Sequence, residues 1–241
     1  MKAYIHCNSK NDYQSINGHV AAIGFESLGY EVIKFQDVKT LPLDEPEDII
    51  VGGVGIVRSH LSSLGFEVPP EMEYPNELRD LINRKIWKTD LQFLIRENVT
   101  DVFIKPIKTK FFSGRVISSF NDYLDLNFEE DIEVWCSEPI TFITEWRCFI
   151  RYGEILDIRY YKGNWDSQLD LNIIEKSIKK YQTQPASFAL DIAIAENGQY
   201  YLVEVNDGHS LGTYGMGSIS YAKFLSARWA QLTQTKDYLN F

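Results

Sequence analysis

The sequence predicts an α/β protein that becomes α+β in its C-terminal part. Three observations carry this. Strand-like and helix-like runs alternate over residues 1–64, the stretch 66–75 holds three prolines and three glutamates, and β-rich runs dominate after Val102. Alternation of this kind predicts a small parallel sheet with crossover helices. The proline cluster predicts a boundary, which gives an N-terminal domain at 1–75 and a larger module at 76–241.

Each element follows in order. Ala3–Cys7 reads as a strand, Tyr13–Leu28 has helical spacing, and Gly29 is its stop. Glu31–Phe35 is a second strand. The acidic stretch from Thr40 to Asp48, with two prolines, is a loop. Ile49–Gly52 is a third strand, after which Gly53 and Gly55 open a helix to Leu64. Asn76–Glu97 reads as helical, in one or two pieces. Strands follow at Val102–Lys105, Arg115–Ser118, Glu133–Cys136, Thr141–Tyr152 and Ile155–Tyr161. Leu171–Tyr181 is a helix, Ser187–Ala195 and Tyr200–Val205 form a hairpin, and Ser218–Thr233 is a closing helix.

Composition excludes several functions. Hydrophobic residues make up 44% and charged residues 24% of the 241, the balance of an ordinary globular protein. Lys and Arg number 24 against 34 Asp and Glu, a net charge of −10. A broad nucleic-acid surface needs many cationic phosphate contacts, so that partner is not expected. Met1–Val20 has no apolar core and carries Lys2, Lys10 and Asp12, so no secretory signal is expected. The longest apolar run, Ile49–Val57, is nine residues with three glycines, against about 20 for a membrane span. Three cysteines, Cys7, Cys136 and Cys148, suit a reducing cytoplasm without a disulfide framework.

The most informative stretch is ALDIAIAENGQYYLVEVNDG. Asn197–Gly198 between β-rich runs is a two-residue type I′ turn signal. With that turn, Glu196 pairs with Gln199, and outward along the ladder Asp191 lies opposite Glu204. Asn206 shares the face of Glu204. Facing carboxylates repel, so a compensating charge is required. Two acids and an amide oxygen form a hard-oxygen set suited to Mg²⁺. A solvated acidic surface or a lysine partner would compensate equally. With this register Ala193 and Leu202 lie on the same face, an apolar floor on which a planar base would stack.

The trio Asp191, Glu204 and Asn206 resembles the metal-binding residues of ATP-grasp enzymes, which hold magnesium against ATP. The resemblance extends backward through the chain. DVFIKP, with Lys105 at a strand end, is similar to that family's nucleotide-reaching lysine. TKFFSG, with Lys110 and Gly114, is similar to its phosphate-covering loop. EVWCSEP, spanning Glu133, Val134, Trp135, Cys136 and Ser137, resembles the linker strand bordering adenine. EWRCFI, with Arg147, resembles the arginine strand of a divergent clade that includes the eukaryotic chaperone assembling translation initiation factor two. EVNDGHSLGTYG and the later Arg228–Trp229 resemble the same clade. The resemblance covers roughly 84–231. It implies an ATP-grasp fold with subdomains near 76–136 and 137–241 clasping the nucleotide, and a small preceding domain that helps bind the other substrate.

Single residues carry two readings each. Lys105 is an edge residue whose stem snorkels, or a compact cation for phosphates. Lys108 and Lys110 with Ser113–Gly114 suit an ordinary hairpin turn or a glycine-containing lid. Arg147 shares a face with Phe149 and Glu145; turned inward, its fork suits phosphate or carboxylate, with Glu145 holding it. Cys136 reads as a small buried hydrophobe. His209, in a glycine-rich loop three residues after the trio, either faces an acceptor substrate or is structural. Arg58 and the Gly52–Gly55 cluster are a carboxylate site or plain surface.

As the resemblance implies, ATP and Mg²⁺ are the cofactors, Lys105 and Arg147 act on phosphate, and the activity is ATP-dependent ligation of a carboxylate to an amine through an acyl phosphate. The substrate is a small molecule or a protein side chain. A kinase acting on a hydroxyl and a non-catalytic ATP-binding assembly chaperone are the alternatives.

Overall fold

The computed structural model describes residues 1–70, 72, 74–108, 111–126 and 131–241. Three sheets organise it. In the first, β1 (Lys2–His6) lies between β2 (Glu31–Phe35) and β3 (Ile49–Val51), all parallel. The helices α1 (Ile16–Ser27) and α2 (Val54–Ser63) make the crossovers. Gly29, at φ +83°, follows the end of α1 in the left-handed conformation that glycine tolerates. The α/β expectation for this part is borne out.

The stretch 76–97 differs from the helix expected there. It holds a short 3₁₀ turn, α3 (Arg79–Ile82), a strand β4 (Ile86–Asp90) and α4 (Leu91–Arg96). Asn83 takes a positive φ of 56° and ends α3. β4 then pairs antiparallel with β7 (Glu133–Ser137), Ile86 opposite Ser137 and Asp90 opposite Glu133. A cross-strand partner overrides weak helical spacing in a run that contains Ile86, Trp87 and Thr89. β5 (Val102–Pro106) and β6 (Arg115–Ile117) complete this sheet in the order β4-β7-β5-β6. One face buries Val102, Ile104, Val134 and Cys136 against Leu91 and Leu94 of α4 and against Tyr123 and Leu126.

The third sheet has the order β11-β10-β8-β9, from β8 (Phe142–Arg151), β9 (Glu154–Gly163), β10 (Ser187–Ala195) and β11 (Tyr200–Asp207). Strict alternation sorts its residues. Trp146, Cys148, Phe188, Leu190 and Ile192 pack towards α5 (Leu171–Lys180) and α3. Phe149 and Ala189 point the other way, into a core shared with the first sheet and with α6 (Ser218–Thr233). Phe149 meets Phe224 of α6 edge-on at 5.2 Å. The N-terminal sheet therefore has no core of its own: Phe224, Leu225 and Trp229 of α6 complete it across the boundary expected at residue 75. Among the described residues, no helix is long and apolar enough to cross a membrane.

The helices α1 and α6 touch where α1 has no side chain. A Cβ at Gly24 would lie 2.1 Å from the Ser218 carbonyl oxygen. We expect Gly24→Ala to destabilise the protein by about 1–3 kcal/mol, the range for overpacking, despite the ~1 kcal/mol that alanine gains in helix propensity. Urea unfolding of the variant checks this, and an unchanged or raised midpoint would mean that the helices do not meet at Gly24.

Candidate active site

On the α6-facing side of the third sheet, the apolar floor gives way to charge. Arg147 of β8 lies directly across from Asp191 of β10 and grips it with both arms, Nε to Oδ1 at 2.7 Å and a terminal nitrogen to Oδ2 at 2.5 Å. Across the other ladder, Asp191 faces Glu204 of β11. Lys105 Nζ, reaching over from β5 in the second sheet, donates to Glu204 Oε2 at 2.9 Å. Asn206 Nδ2 donates to Glu204 Oε1 at 3.0 Å and to Asp191 Oδ2 at 3.4 Å. The guanidinium of Arg147 also lies 3.6 Å from Glu204. Two acids and two bases thus interleave, and their charges sum to zero.

The environments of the two acids push them apart. Burial raises the Asp191 carboxyl to about 6, against the pull of Arg147. Burial also acts on Glu204, but Lys105, Asn206 and Arg147 outweigh it and bring that carboxyl down to about 2. The compensation that the facing acids require is supplied here by Arg147 and Lys105. Glu145, expected to hold Arg147, instead accepts from Tyr161 Oη at 2.8 Å and Lys162 Nζ at 2.6 Å. The open face of Arg147 is covered by the Tyr214 ring, 4.3 Å from the guanidinium carbon.

The hairpin reaches the expected facing pair by a different route. Gly198 N donates to the Ala195 carbonyl, and Ala195 N to that of Gln199. With φ +75° at Gly198 alone, the loop is the three residues Glu196–Gly198, not a two-residue type I′ turn. That shifts the ladder by one, so Ile192 pairs with Leu202. A bulge at Val203 shifts it back and restores Asp191 opposite Glu204. The shift has one consequence for the site. Leu202 turns away from Asp191 into the core with Leu190 and Ile192, so it is not part of the floor. Tyr201 stands opposite Ala193 in its place, and the bulged Val203 lines the neighbouring cavity.

A cavity of about 450 Å³ separates the second and third sheets. Tyr74, Phe103, Lys105 and Val116 line one side, and Phe142, Glu145, Lys162, Val203 and Glu204 the other. Its third wall is Ser137–Ile140. Of the expected border strand, only Ser137 lines this cavity. Val134 and Cys136 alternate into the core, where burial pushes the Cys136 thiol up to about 12. Trp135 packs edge-on against Tyr74 at 5.0 Å, and Glu133 is exposed at the strand's far end. Lys110 lies outside the described residues. Gly114 lines the cavity on the β6 side. Sequence reasoning missed Arg84, whose terminal nitrogens donate to the Leu202 and Val203 carbonyls at 2.7 and 3.1 Å. It also missed Lys162. No local motif marks either one: Arg84 acts on a strand far away in sequence, and Lys162 is placed by its register opposite Glu145.

A second cavity, of about 230 Å³, opens on the other side of Glu204. Arg58, Met72, Asn206, Asp207, His209 and Ser210 are among the residues around it. Asp207 accepts from Arg228 of α6 at Nε (2.8 Å) and a terminal nitrogen (2.5 Å), and lies 2.8 Å from His209 Nδ1. Gly208 allows this ending of β11. A Cβ there would lie 2.3 Å from Ser187 Oγ and 2.6 Å from the Ser187 carbonyl oxygen. Burial works against the Asp207 charge, but the Arg228 and His209 hydrogen bonds hold its carboxyl far below the usual range.

That pair predicts a pH signature. Asp207 contributes stability above the ordinary carboxylate range and loses it as pH falls towards its own lowered value. Arg228→Gln leaves the Asp207 charge buried and poorly paired, a loss of about 3–5 kcal/mol at pH 7. Protonating Asp207 relieves that loss, so the gap to the parent should narrow between pH 7 and pH 4. Urea unfolding at both pH values reads it. A gap that stays constant would show that Arg228 contributes by packing alone.

Among curated proteins, none matches the chain. Solved structures do resemble it. The D-alanine–D-alanine ligase from Bacillus anthracis aligns over 97% of this chain and 98% of its own, with 14% identity and a TM-score of 0.61. A RimK domain protein ATP-grasp from Sphaerobacter thermophilus covers 93% and 98%, with 12% identity and a TM-score of 0.57. The macrocyclase MdnC from Microcystis aeruginosa, bound with its precursor peptide MdnA, covers 93% and 99%, with 14% identity and a TM-score of 0.51. These likenesses establish the fold. The family model for the ATP-grasp domain, R2K clade family 2, matches residues 81–224, a span that includes Lys105, Arg147, Asp191, Glu204 and Asn206. The chain belongs to that ATP-grasp family.

Proposed function

We propose that the chain is an ATP- and magnesium-dependent ligase that joins a carboxylate to an amine through an acyl phosphate. The observation that carries this is the charge cluster Lys105–Glu204–Asp191–Arg147, set between a cavity suited to a nucleotide and a second cavity beside Glu204. Phe103, Val116, Phe142 and Val203 offer apolar walls for a base, with the chain at Ser137–Ile140 along its edge. Lys105, Arg147 and Lys162 supply cations for the phosphates.

Asp191, Glu204 and Asn206 offer only hard oxygen donors, which fits Mg²⁺. Glu204 and Asn206 would hold the ion, with Asp191 behind them. Once bound, magnesium supplies charge neutralisation at phosphate oxygens. The chain's own residues do the remainder. Lys105 and Arg147 orient and neutralise the phosphoryl group as a carboxylate oxygen attacks it. An amine then displaces phosphate from the acyl carbon. Solved ligases, D-alanine–D-alanine ligase among them, share the fold. The second cavity supports transfer to an acceptor over nucleotide binding alone, and thus the ligase over an assembly chaperone. Three free, buried cysteines are in keeping with a reducing compartment.

In this structure Lys105 Nζ holds Glu204 Oε2 at 2.9 Å. When Lys105 turns to phosphate, it releases a carboxylate for the cation. Nucleotide and metal should therefore bind cooperatively, and Mg·ATP at 100 times its Kd should stabilise the fold by about 2.7 kcal/mol. A melting curve unmoved by millimolar Mg·ATP would refute the function. Lys105→Ala should weaken ATP binding while the protein stays folded.

Glu204→Gln separates two roles. The variant keeps the shape but removes the charge of the carboxylate that Lys105 holds, so the ligand-free protein should lose a modest amount of stability, on the order of 1 kcal/mol for a partly exposed pair. Mg·ATP binding should fall far more steeply. A variant that binds Mg·ATP normally would remove Glu204 from the metal site. Phosphate release from ATP on adding amino-acid and peptide mixtures distinguishes the ligase from a kinase or a chaperone once the product is identified by mass.

A further inference from the structure

Arg147 has one nitrogen to spare. Nε and one terminal nitrogen are committed to Asp191 at 2.7 and 2.5 Å, and the residue is only 6% exposed. The other terminal nitrogen, Nη1, has no hydrogen-bond partner among the described residues, yet it is not sealed from solvent. Such a donor meets a phosphate oxygen well only where the whole group is held still, because the guanidinium fork has a fixed geometry. Asp191 holds one edge of it. Tyr214 supplies a second hold: the guanidinium carbon lies over its ring, 4.3 Å from the centroid, a cation–π distance.

The backbone keeps Tyr214 there against its own preference. Its φ is +48°, in the left-handed region that bulky residues rarely adopt. Such a conformation persists only where the surroundings over-determine it. Tyr214 is 45% exposed, so burial of its ring does not account for it. The loop around it is tied to both helices instead. Thr213 N donates to Asn17 Oδ1, in the first turn of α1, at 3.0 Å, and the Thr213 carbonyl accepts from Met216 N at 2.8 Å. Tyr221 Oη of α6 donates to the Leu211 carbonyl at 2.7 Å. Gly212 permits the approach to α1, since a Cβ there would lie 3.3 Å from Asn17 Nδ2. The Tyr214 ring also meets Tyr161 edge-on at 5.3 Å, and Tyr161 Oη donates to Glu145 in the wall of the cavity between the sheets.

We propose that Tyr214 is a positioning residue for Arg147: it sets the guanidinium so that Nη1 meets the terminal phosphate of the nucleotide, and Asn17 makes that setting depend on the docking of α1. This rests on the reading that Arg147 acts on the transferred phosphoryl group. The negative face of the ring attracts the cation and excludes water from that side, which strengthens the charge interactions that remain. The attraction belongs to the ring and not to its hydroxyl, so phenylalanine should serve at this position and leucine should not. The N-terminal domain, which supplies Asn17, thereby bears on phosphate handling through one backbone hydrogen bond.

Equilibrium binding of Mg·ATP and Mg·ADP to the full chain tests this, because only ATP carries the terminal phosphate. The readout is the ratio of the two dissociation constants. In Tyr214→Leu the preference for ATP should fall roughly threefold to tenfold, the worth of a partly desolvated cation–π contact, while Tyr214→Phe should keep the parent ratio. Asn17→Ala should lower the preference in the same direction, and Asn17→Asp, which retains an acceptor for Thr213 N, should restore it. A merely structural role would lower the urea midpoint and weaken both nucleotides alike. An unchanged or raised ATP preference in Tyr214→Leu, or a fall as deep in Tyr214→Phe, overturns the proposal. If Tyr214→Leu does not fold, Asn17→Ala decides, and the parent ratio there overturns it. A parent that binds neither nucleotide defeats the ligase reading itself. A parent that binds both equally defeats the placing of Arg147 on the terminal phosphate, and this proposal with it. A parent that prefers ATP beside a leucine variant that prefers it as strongly defeats only the role of Tyr214.

Discussion

Two carboxylates facing one another across a ladder are the constraint to which the site is built. Asp191 is almost fully buried, and its repulsion from Glu204 must be met within a short range. The two cations that meet it come from different places. Arg147 belongs to the same sheet, and its bidentate grip fixes the carboxylate plane of Asp191. Lys105 belongs to the other sheet and reaches across the cleft to Glu204. The electrostatics that balance the acids therefore also hold the two walls of the cavity between the sheets in apposition. Arg84 adds to this through the backbone carbonyls at the bulge of β11. Removing one member of such a set strands its partner, so the four residues are coupled energetically and not merely adjacent.

Much of this was legible from sequence, for physical reasons that can be named. Alternation with period two sorted Asp191, Arg147 and Phe149 onto one face, and the hairpin brought Glu204 opposite Asp191. That pairing survived a wrong turn type because two irregularities cancel: a third loop residue shifts the register, and the bulge at Val203 shifts it back. Leu202, which sits between the two, went to the other face. The same alternation, applied to the border strand, would have sent Val134 and Cys136 inward. β4 escaped detection because five residues beside a helix carry too little periodicity of their own, and its partner lies some 50 residues on. Arg84, which reaches the third sheet, left no local trace, and Lys162 shows its place only through its register opposite Glu145 on the neighbouring strand.

The end of β11 ties three layers together. Within a few residues the strand supplies Glu204 to both cavities and Asn206 and Asp207 to the second, then turns at Gly208 into the loop bearing His209. Arg228 of α6 holds Asp207 from the opposite side. Packing of α6 against the sheet thus sets the position of the histidine, and the apolar helix core and the polar cavity share one mechanical support.

The helix α6 has a consequence for biosynthesis. It fills the core beneath the first three strands, yet its residues are separated from them by more than 150 positions. A ribosome delivers the chain from its N-terminus at about 5–20 residues per second. Ile5, Phe25 and Leu61 therefore wait many seconds for Phe224 and Trp229 to cover them. During that interval the parallel strands emerge with an incomplete apolar face, an invitation to holdase chaperones and to mispairing between nascent chains. Slowly translated codons before Ser218 would prolong that exposure, so production of this protein in a foreign host depends on the tempo of its last third as much as on the stability of the finished fold.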